Sequence, residues 1–287
     1  MAPRKIILSR KGFDSAAGGN ASPILPDGEL LSLPIPHSKD DNRYSDVLSQ
    51  NGTPLKHYMD QLGIKPYSKN PDYDGERCHL DPDLRCSSKS DRGEDWVPAF
   101  GSGTGPTTHL QKHGVGPGDL FLFFGRYYPT VDNGDGLRWA RGSKLDSHVI
   151  FGYLEIAERY LLAEETTLPK NIAYHPHAKY LKDKTHAIFT APERLGLNSS
   201  LPGAGVFKYN ELLKLTKNGH SRTRWNLDKD IFGGTSISYH PDPWKEKNGD
   251  SYFQSAYPGQ EFVIDVDGNE RIIGWLETIF AHSEINT

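Results

Sequence analysis

Glycine and proline punctuate this chain from end to end. There are 29 glycines and 20 prolines in 287 residues, about 17% together where average usage gives ~12%. The excess is gathered in no single linker or tail. Glycine opens turns, and proline interrupts helices and central strands. A chain written this way folds as short elements joined by many turns and long loops. It is not a disordered chain: 36% of its residues are hydrophobic, and 33 basic against 37 acidic residues leave a net charge of only -4. Disorder by composition needs lower hydrophobicity and a larger net charge.

Several classes fall away on the same reading. No apolar stretch approaches the ~18 residues of a membrane span. The opening "MAPRKIILSRKGFDS" has too short an apolar run for a signal peptide, so a cytoplasmic protein is expected. Two cysteines do not make a disulfide framework. Without a global basic excess, nucleic-acid binding has to come from a local patch.

The apolar pattern predicts the main elements. "RKIILS" (4–9) reads as a buried strand running into the glycine-rich "KGFDSAAGG". Leu55, Tyr58, Met59 and Leu62 share one helical face between a Thr53-Pro54 start and a Gly63 stop. Residues 64–105 read as a long polar loop, with a short helix over 106–113. Strands are expected at "LFLFFGRYY", "SHVIFGYLEIAERYLL", "THAIFTA" and "EFVIDV". Helices are expected at about 209–217 and around Ile272, Ile273, Leu276, Ile279 and Phe280. The whole suggests an α+β fold: a curved mixed sheet or barrel-like core with several helices and long loops.

Four segments carry candidate chemistry. In the first, Lys11-Gly12-Phe13-Asp14 and Gly18-Gly19 leave a strand as a polar loop. Such a loop brings backbone close to a phosphate or sugar, with Lys11 meeting an anion and Asp14 acting as a base or ribose ligand. A turn that needs its glycines only for backbone angles is the structural alternative. In the second, "CHLDPDLRC" alternates His79, Asp81, Asp83 and Arg85, which an extended segment would place on one face. That set can hold a metal or pair an acid with a base; the alternative is an Asp-Pro turn with solvated charges. Cys78 and Cys86 match no common zinc spacing.

The third segment, "GPGDLFLFFGRYY", ends a buried strand with Arg126, Tyr127 and Tyr128, where base stacking competes with a core role. The fourth, "KLTKNGHSRTRW", interleaves basic side chains with Trp225, as single-stranded nucleic acid would use, or as an ordinary helix end would. "HPH" sets His175 and His177 on one side of an extended segment, as metal ligands would be, but offers no third ligand; a rigid loop is the simpler reading. His240-Pro-Asp242-Pro243 echoes His79-Leu-Asp81-Pro82 by chance, since Asp-Pro pairs are common in turns. No motif identifies a cofactor or a particular metal.

Taken together, "SRKGFDSAAGG", "SPI", "LPIP", "CHLDPDLR", "THL", "VGPGDLFLFFGRY" and "HPHAKYL" resemble the third of the nucleotide-modification-associated domain families. The blocks run in order from about residue 9 to 182. The segment around 115–160, "GPGDLFLFFGRY…IFGYLEIAERY", is also similar to PUA-like domains of the EVE and ASCH groups, which bind modified or flipped bases. The resemblance implies one domain over 1–287, with a PUA-like core at about 100–200 as an option. It implies a nucleotide or nucleic acid as partner, and no membrane. Asp14, His79, Asp81 and Asp83 become catalytic candidates. Lys11, Gly12, Phe13, Gly19, His37, Arg85, His109, Arg126 and Tyr153 become substrate-binding candidates.

Two functions fit these residues. One is an enzyme of nucleotide or nucleobase modification using Asp and His acid/base chemistry, by glycosyl-bond or group-transfer reactions. The other is a non-catalytic reader of modified bases through a PUA-like pocket with Arg126, Tyr127 or Tyr153. Whether Asp14, His79, Asp81 and Asp83 meet in one cleft separates the two.

Overall fold

The run Leu120–Asp132 builds the centre of the molecule because it is apolar on both faces: Leu120 to Phe124 are all at most 1% exposed. A computed structural model, which describes residues 2–247, 249–255 and 260–286, places this strand inside a mixed sheet. Lys5–Arg10 pairs parallel to it on one side, and Ser147–Glu155 antiparallel on the other. Outward from these lie Glu261–Asp265 beyond the first strand and Ala204–Phe207, then Ile285–Asn286, beyond the third. The far half of the central strand pairs with Ser22–Ile24 and with Leu137–Trp139. A bulge at Phe123/Phe124 shifts the register and curves the sheet.

Alternation along the pleat fills both faces. Phe121 and Phe123 point to a second, three-stranded sheet and pack on Phe100 and Phe189. That sheet runs Ala99–Ser102, Ala187–Thr190, Glu158–Leu161. Tyr153, paired with Leu122, faces the other way and meets Phe280 and Phe207. Phe280 belongs to the C-terminal helix Glu270–His282, whose Ile272, Leu276, Ile279 and Phe280 are buried. Asn269 caps that helix, its side chain accepting from the Arg271 and Ile272 N–H groups. A separate apolar cluster of Phe13, Leu33, Tyr44, Leu55 and Met59 supports the N-terminal loops.

The expected α+β class and curved mixed sheet are observed. The closed barrel is not: the sheet runs from Glu261–Asp265 at one edge to Ile285–Asn286 at the other and stays open. Several local expectations also change. The first helix is Leu55–Gln61, and Thr53 does not cap it; the Thr53 N–H donates to Ser49 Oγ and Asn51 Oδ1 instead. The second helix spans Thr104–Lys112. "SHVIFGYLEIAERYLL" breaks into two strands that join different sheets. At 209–217 only a 3-10 turn, Glu211–Leu213, forms. The long polar stretch 64–105 contains the strands Cys78–His79 and Ala99–Ser102. Among the described residues no helix is long and apolar enough to cross a membrane.

Candidate functional site

Three short segments, far apart in sequence, are folded onto one another beside the end of the first strand. Ile35–Pro36 pairs with Cys78–His79 in a two-stranded ladder, Ile35 opposite His79. That register carries His37 and Asp40 to the His79 ring. Asp83 exchanges backbone hydrogen bonds with Ala99, which lays residues 81–83 along the Ala99–Ser102 strand. Asp81 Oδ1 then accepts the Gly101 N–H at 2.8 Å. The third segment, Pro176–Tyr180, is a 3-10 helix with Pro176 in its first turn, rather than the extended run expected for "HPH". His175 caps it, its Nδ1 accepting the His177 N–H at 3.2 Å. The helix delivers His177 and Lys179 to the same place.

The result is a cluster of imidazoles around two buried carboxylates. Asp40 Oδ2 accepts from His79 Nδ1 at 2.5 Å and lies 3.1 Å from His37 Nδ1, while Lys179 binds Asp40 Oδ1. The Nδ1 proton of His79 is thereby committed to Asp40, and its Nε2 faces His177 Nε2 at 3.1 Å. Asp81 Oδ2 lies 3.8 Å from His79 Nε2 and 3.6 Å from His177 Nε2. Behind it, His175 Nε2 is 3.4 Å from Asp81 Oδ1. Burial works to raise the pKa of both carboxyls. Hydrogen bonds from His37, His79 and Lys179 reverse this at Asp40, the close approach of the His175, His177 and His79 imidazoles reverses it at Asp81, and both are held well below the usual carboxylate range. Burial lowers the His177 pKa; Asp81 opposes it, neighbouring imidazoles reinforce it, and the value falls to about 3.

Gly101 makes this approach physically achievable. A Cβ there would stand 2.8 Å from His177 Nε2, with the ring carbons nearer still. Only a hydrogen lets the imidazole lie across the strand.

His79, Asp81 and His177 form one wall of a cleft of about 230 Å³. Arg10, Lys11, Gly12 and Asp14 enter from the end of the first strand, and Gly101 to Gly103 supply backbone. Lys11 Nζ pairs with Glu261 Oε1 at 2.7 Å and lies 4.5 Å from the Phe100 ring centre. Glu261 Oε2 is buried and has no hydrogen-bond partner among the described residues. Asp14 Oδ1 accepts from the Ala16 and Ala17 N–H groups, which fixes the loop. The cleft thus offers a cation, carboxylates and two imidazole nitrogens to one small volume. Two sets of its neighbourhood are grouped as metal ligands would be: His79, Asp81 and His177, and His37, Asp40 and His79.

The other sequence candidates lie elsewhere. Asp83 does not line the cleft with His79 and Asp81; it is buried with Arg92 and Ser88, and burial raises its pKa despite Arg92. Arg85 turns to the Leu48 carbonyl at 2.8 Å. Phe13 is a core side chain packed on Tyr44 and covered by Gly18, and Gly19 lies against Tyr67. His109 meets Ser238 and stacks on Tyr239. Arg126 pairs with Asp146. Tyr153 is fully buried, its OH donating to the Pro202 carbonyl. In "KLTKNGHSRTRW", Lys217 and His220 pair with Asp250, Arg222 with Asp146, and Trp225 is core. Asp40, Lys179 and Glu261 were not legible as site residues; the only signal was Asp40 three residues after His37. His177 was visible as half of "HPH", lacking the third ligand that Asp81 and His79 supply in space.

An open mixed sheet carries a histidine- and carboxylate-lined cleft at the end of its parallel strand pair. The chain belongs to the nucleotide modification associated domain 3 family, whose model matches residues 5–265. No curated protein and no solved structure matches it.

Proposed function

We propose that the protein is an enzyme of nucleotide or nucleobase modification, and that the cleft between Lys11 and His177 is its active site. The observation that carries this is the convergence of His79, Asp81 and His177 on one wall, from segments about a hundred residues apart in sequence. A fold has no structural need to bury two carboxylates among four imidazoles; such groups cost free energy unless paired, and clusters of this kind collect at functional sites. Membership of the family supports a nucleotide or nucleic-acid substrate. In this reading Lys11 receives phosphate, and Asp14 binds ribose or takes a proton. Asp40 orients His79 so that Nε2 points to His177 in the wall of the cleft. A non-catalytic reader has less support, because neither Arg126 nor Tyr153 lines the cleft and Tyr153 is spent in the core.

The test is mass spectrometry of nucleosides digested from DNA, RNA and the nucleotide pool of cells expressing the protein. A new or depleted nucleoside that disappears with His79→Ala and with Asp81→Asn supports the proposal. No change with the wild-type chain, together with selective binding of modified over plain nucleic acid, would favour the reader.

A further inference from the structure

We propose that His79, Asp81 and His177 bind one divalent first-row transition-metal ion. The inference rests on the cleft being the functional site and names what its wall holds. His79 Nε2, His177 Nε2 and Asp81 Oδ2 are 3.1, 3.6 and 3.8 Å apart. A triangle with these sides has its corners about 2.0 Å from its centre, the bond length of imidazole nitrogen and carboxylate oxygen to such an ion. Two imidazoles with one carboxylate, and positions left open, is a donor set of catalytic zinc and non-haem iron sites. The surroundings match as well. The His79 Nδ1–H is bound by the Asp40 carboxylate at 2.5 Å, which presents Nε2 as a lone pair and is the usual arrangement behind a ligating histidine.

A hydrogen bond between the two imidazoles would account for the 3.1 Å separation alone. It does not account for Asp81. That carboxylate is buried, its ionisable neighbours are the three histidines, and its Oδ2 accepts no hydrogen bond among the described residues. The ion takes His177 through Nε2; the ring's Nδ1 stays buried without a partner among the described residues. A cation at the centre of the triangle supplies the missing partner of Asp81.

The full-length chain, stripped with a chelator and dialysed, is titrated with Co(II) and then with Zn(II). The expected result is one equivalent bound, visible Co(II) absorption of a nitrogen and oxygen site, bleaching by Zn(II), and a melting temperature raised by several degrees. Asp81→Asn retains the acceptor for the Gly101 N–H but loses the anion, and His177→Ala removes a ligand; each abolishes the Co(II) spectrum. Asp40→Asn weakens binding roughly 10–100-fold while preserving the spectrum. Wild-type protein that binds neither ion overturns the proposal, as does folded Asp81→Asn protein with an unchanged spectrum. Should His177→Ala fail to fold, Asp81→Asn and Asp40→Asn still decide it. A metal-loaded protein that alters no nucleoside would refute the proposed function and leave the metal site standing; a metal-free protein that alters one would do the reverse.

Discussion

Replacing Gly101 by alanine tests whether the position of His177, rather than its mere presence, makes the site. The backbone there is an ordinary strand, so alanine meets no conformational barrier. The added Cβ would stand 2.8 Å from His177 Nε2 and nearer to the ring carbons, whereas unstrained carbon contacts lie at about 3.5–4.0 Å. The nearest ring carbon, 2.2 Å away, has to retreat by more than about 1 Å, and overpacking of this kind costs about 1–3 kcal/mol. In a domain of this size that lowers the melting temperature by about 2–12 °C. The functional loss should be larger than the stability loss, since a displacement of about 1 Å costs on the order of 100-fold in a positioned reaction. Gly105→Ala is the control: its Cβ enters open space within the Thr104–Lys112 helix and should leave melting and activity intact or slightly raise stability. Calorimetry and nucleoside turnover are measured on both variants. Gly101→Ala protein with wild-type melting and turnover would refute the argument that close approach of His177 defines the site.

Asp40→Asn keeps the size of the side chain but removes the charge that His37, His79 and Lys179 share; turnover should fall roughly 10–100-fold with the far-UV spectrum unchanged. Tyr153→Phe should cost about 0.5–1.5 kcal/mol for the lost bond to the Pro202 carbonyl and leave turnover untouched; a large activity loss would return Tyr153 to the substrate. Asp83→Ala strands Arg92 in a buried position and should destabilise by about 3–5 kcal/mol in urea unfolding. His148 is buried, accepts the Trp225 indole N–H at 3.0 Å, and burial drives its pKa well below the ordinary value of 6.5. The unfolded chain therefore binds the extra proton, so stability is complete above pH 6.5 and falls as the pH drops below it. By linkage the loss from this group grows as the pH falls further below 6.5. His148→Gln should lose correspondingly less between pH 7 and 5, and parallel profiles would contradict the assignment.

The core was legible because its signal is local. "LFLFFG" is apolar at successive positions, so burial on both faces followed from composition alone, and the C-terminal helix declared itself by its spacing. The barrel expectation failed because edge closure depends on which strands meet, and a Gly-Asp turn with two strands does not encode that. His79 and Asp81 could be singled out as a pair, since alternation two residues apart is visible in a string. Asp83, at the same spacing, was misplaced because its backbone bridges to Ala99 and its carboxylate is taken by Arg92. Asp40, His177 and Lys179 reach the site through a ladder and a 3-10 turn, contacts of long sequence separation that no window of residues carries. Tyr127, Tyr153 and Trp225 went to the core, which needs the same flat apolar area that would suit a nucleobase.

The most direct test of the account is a crystal structure of the protein soaked with a nucleoside monophosphate and Mn(II), with anomalous data. The account predicts a single anomalous peak about equidistant from His79 Nε2, Asp81 Oδ2 and His177 Nε2, and a nucleotide in the cleft with its phosphate toward Lys11. A nucleotide bound away from this cleft, with the His79 and His177 imidazoles joined only to each other, would contradict it.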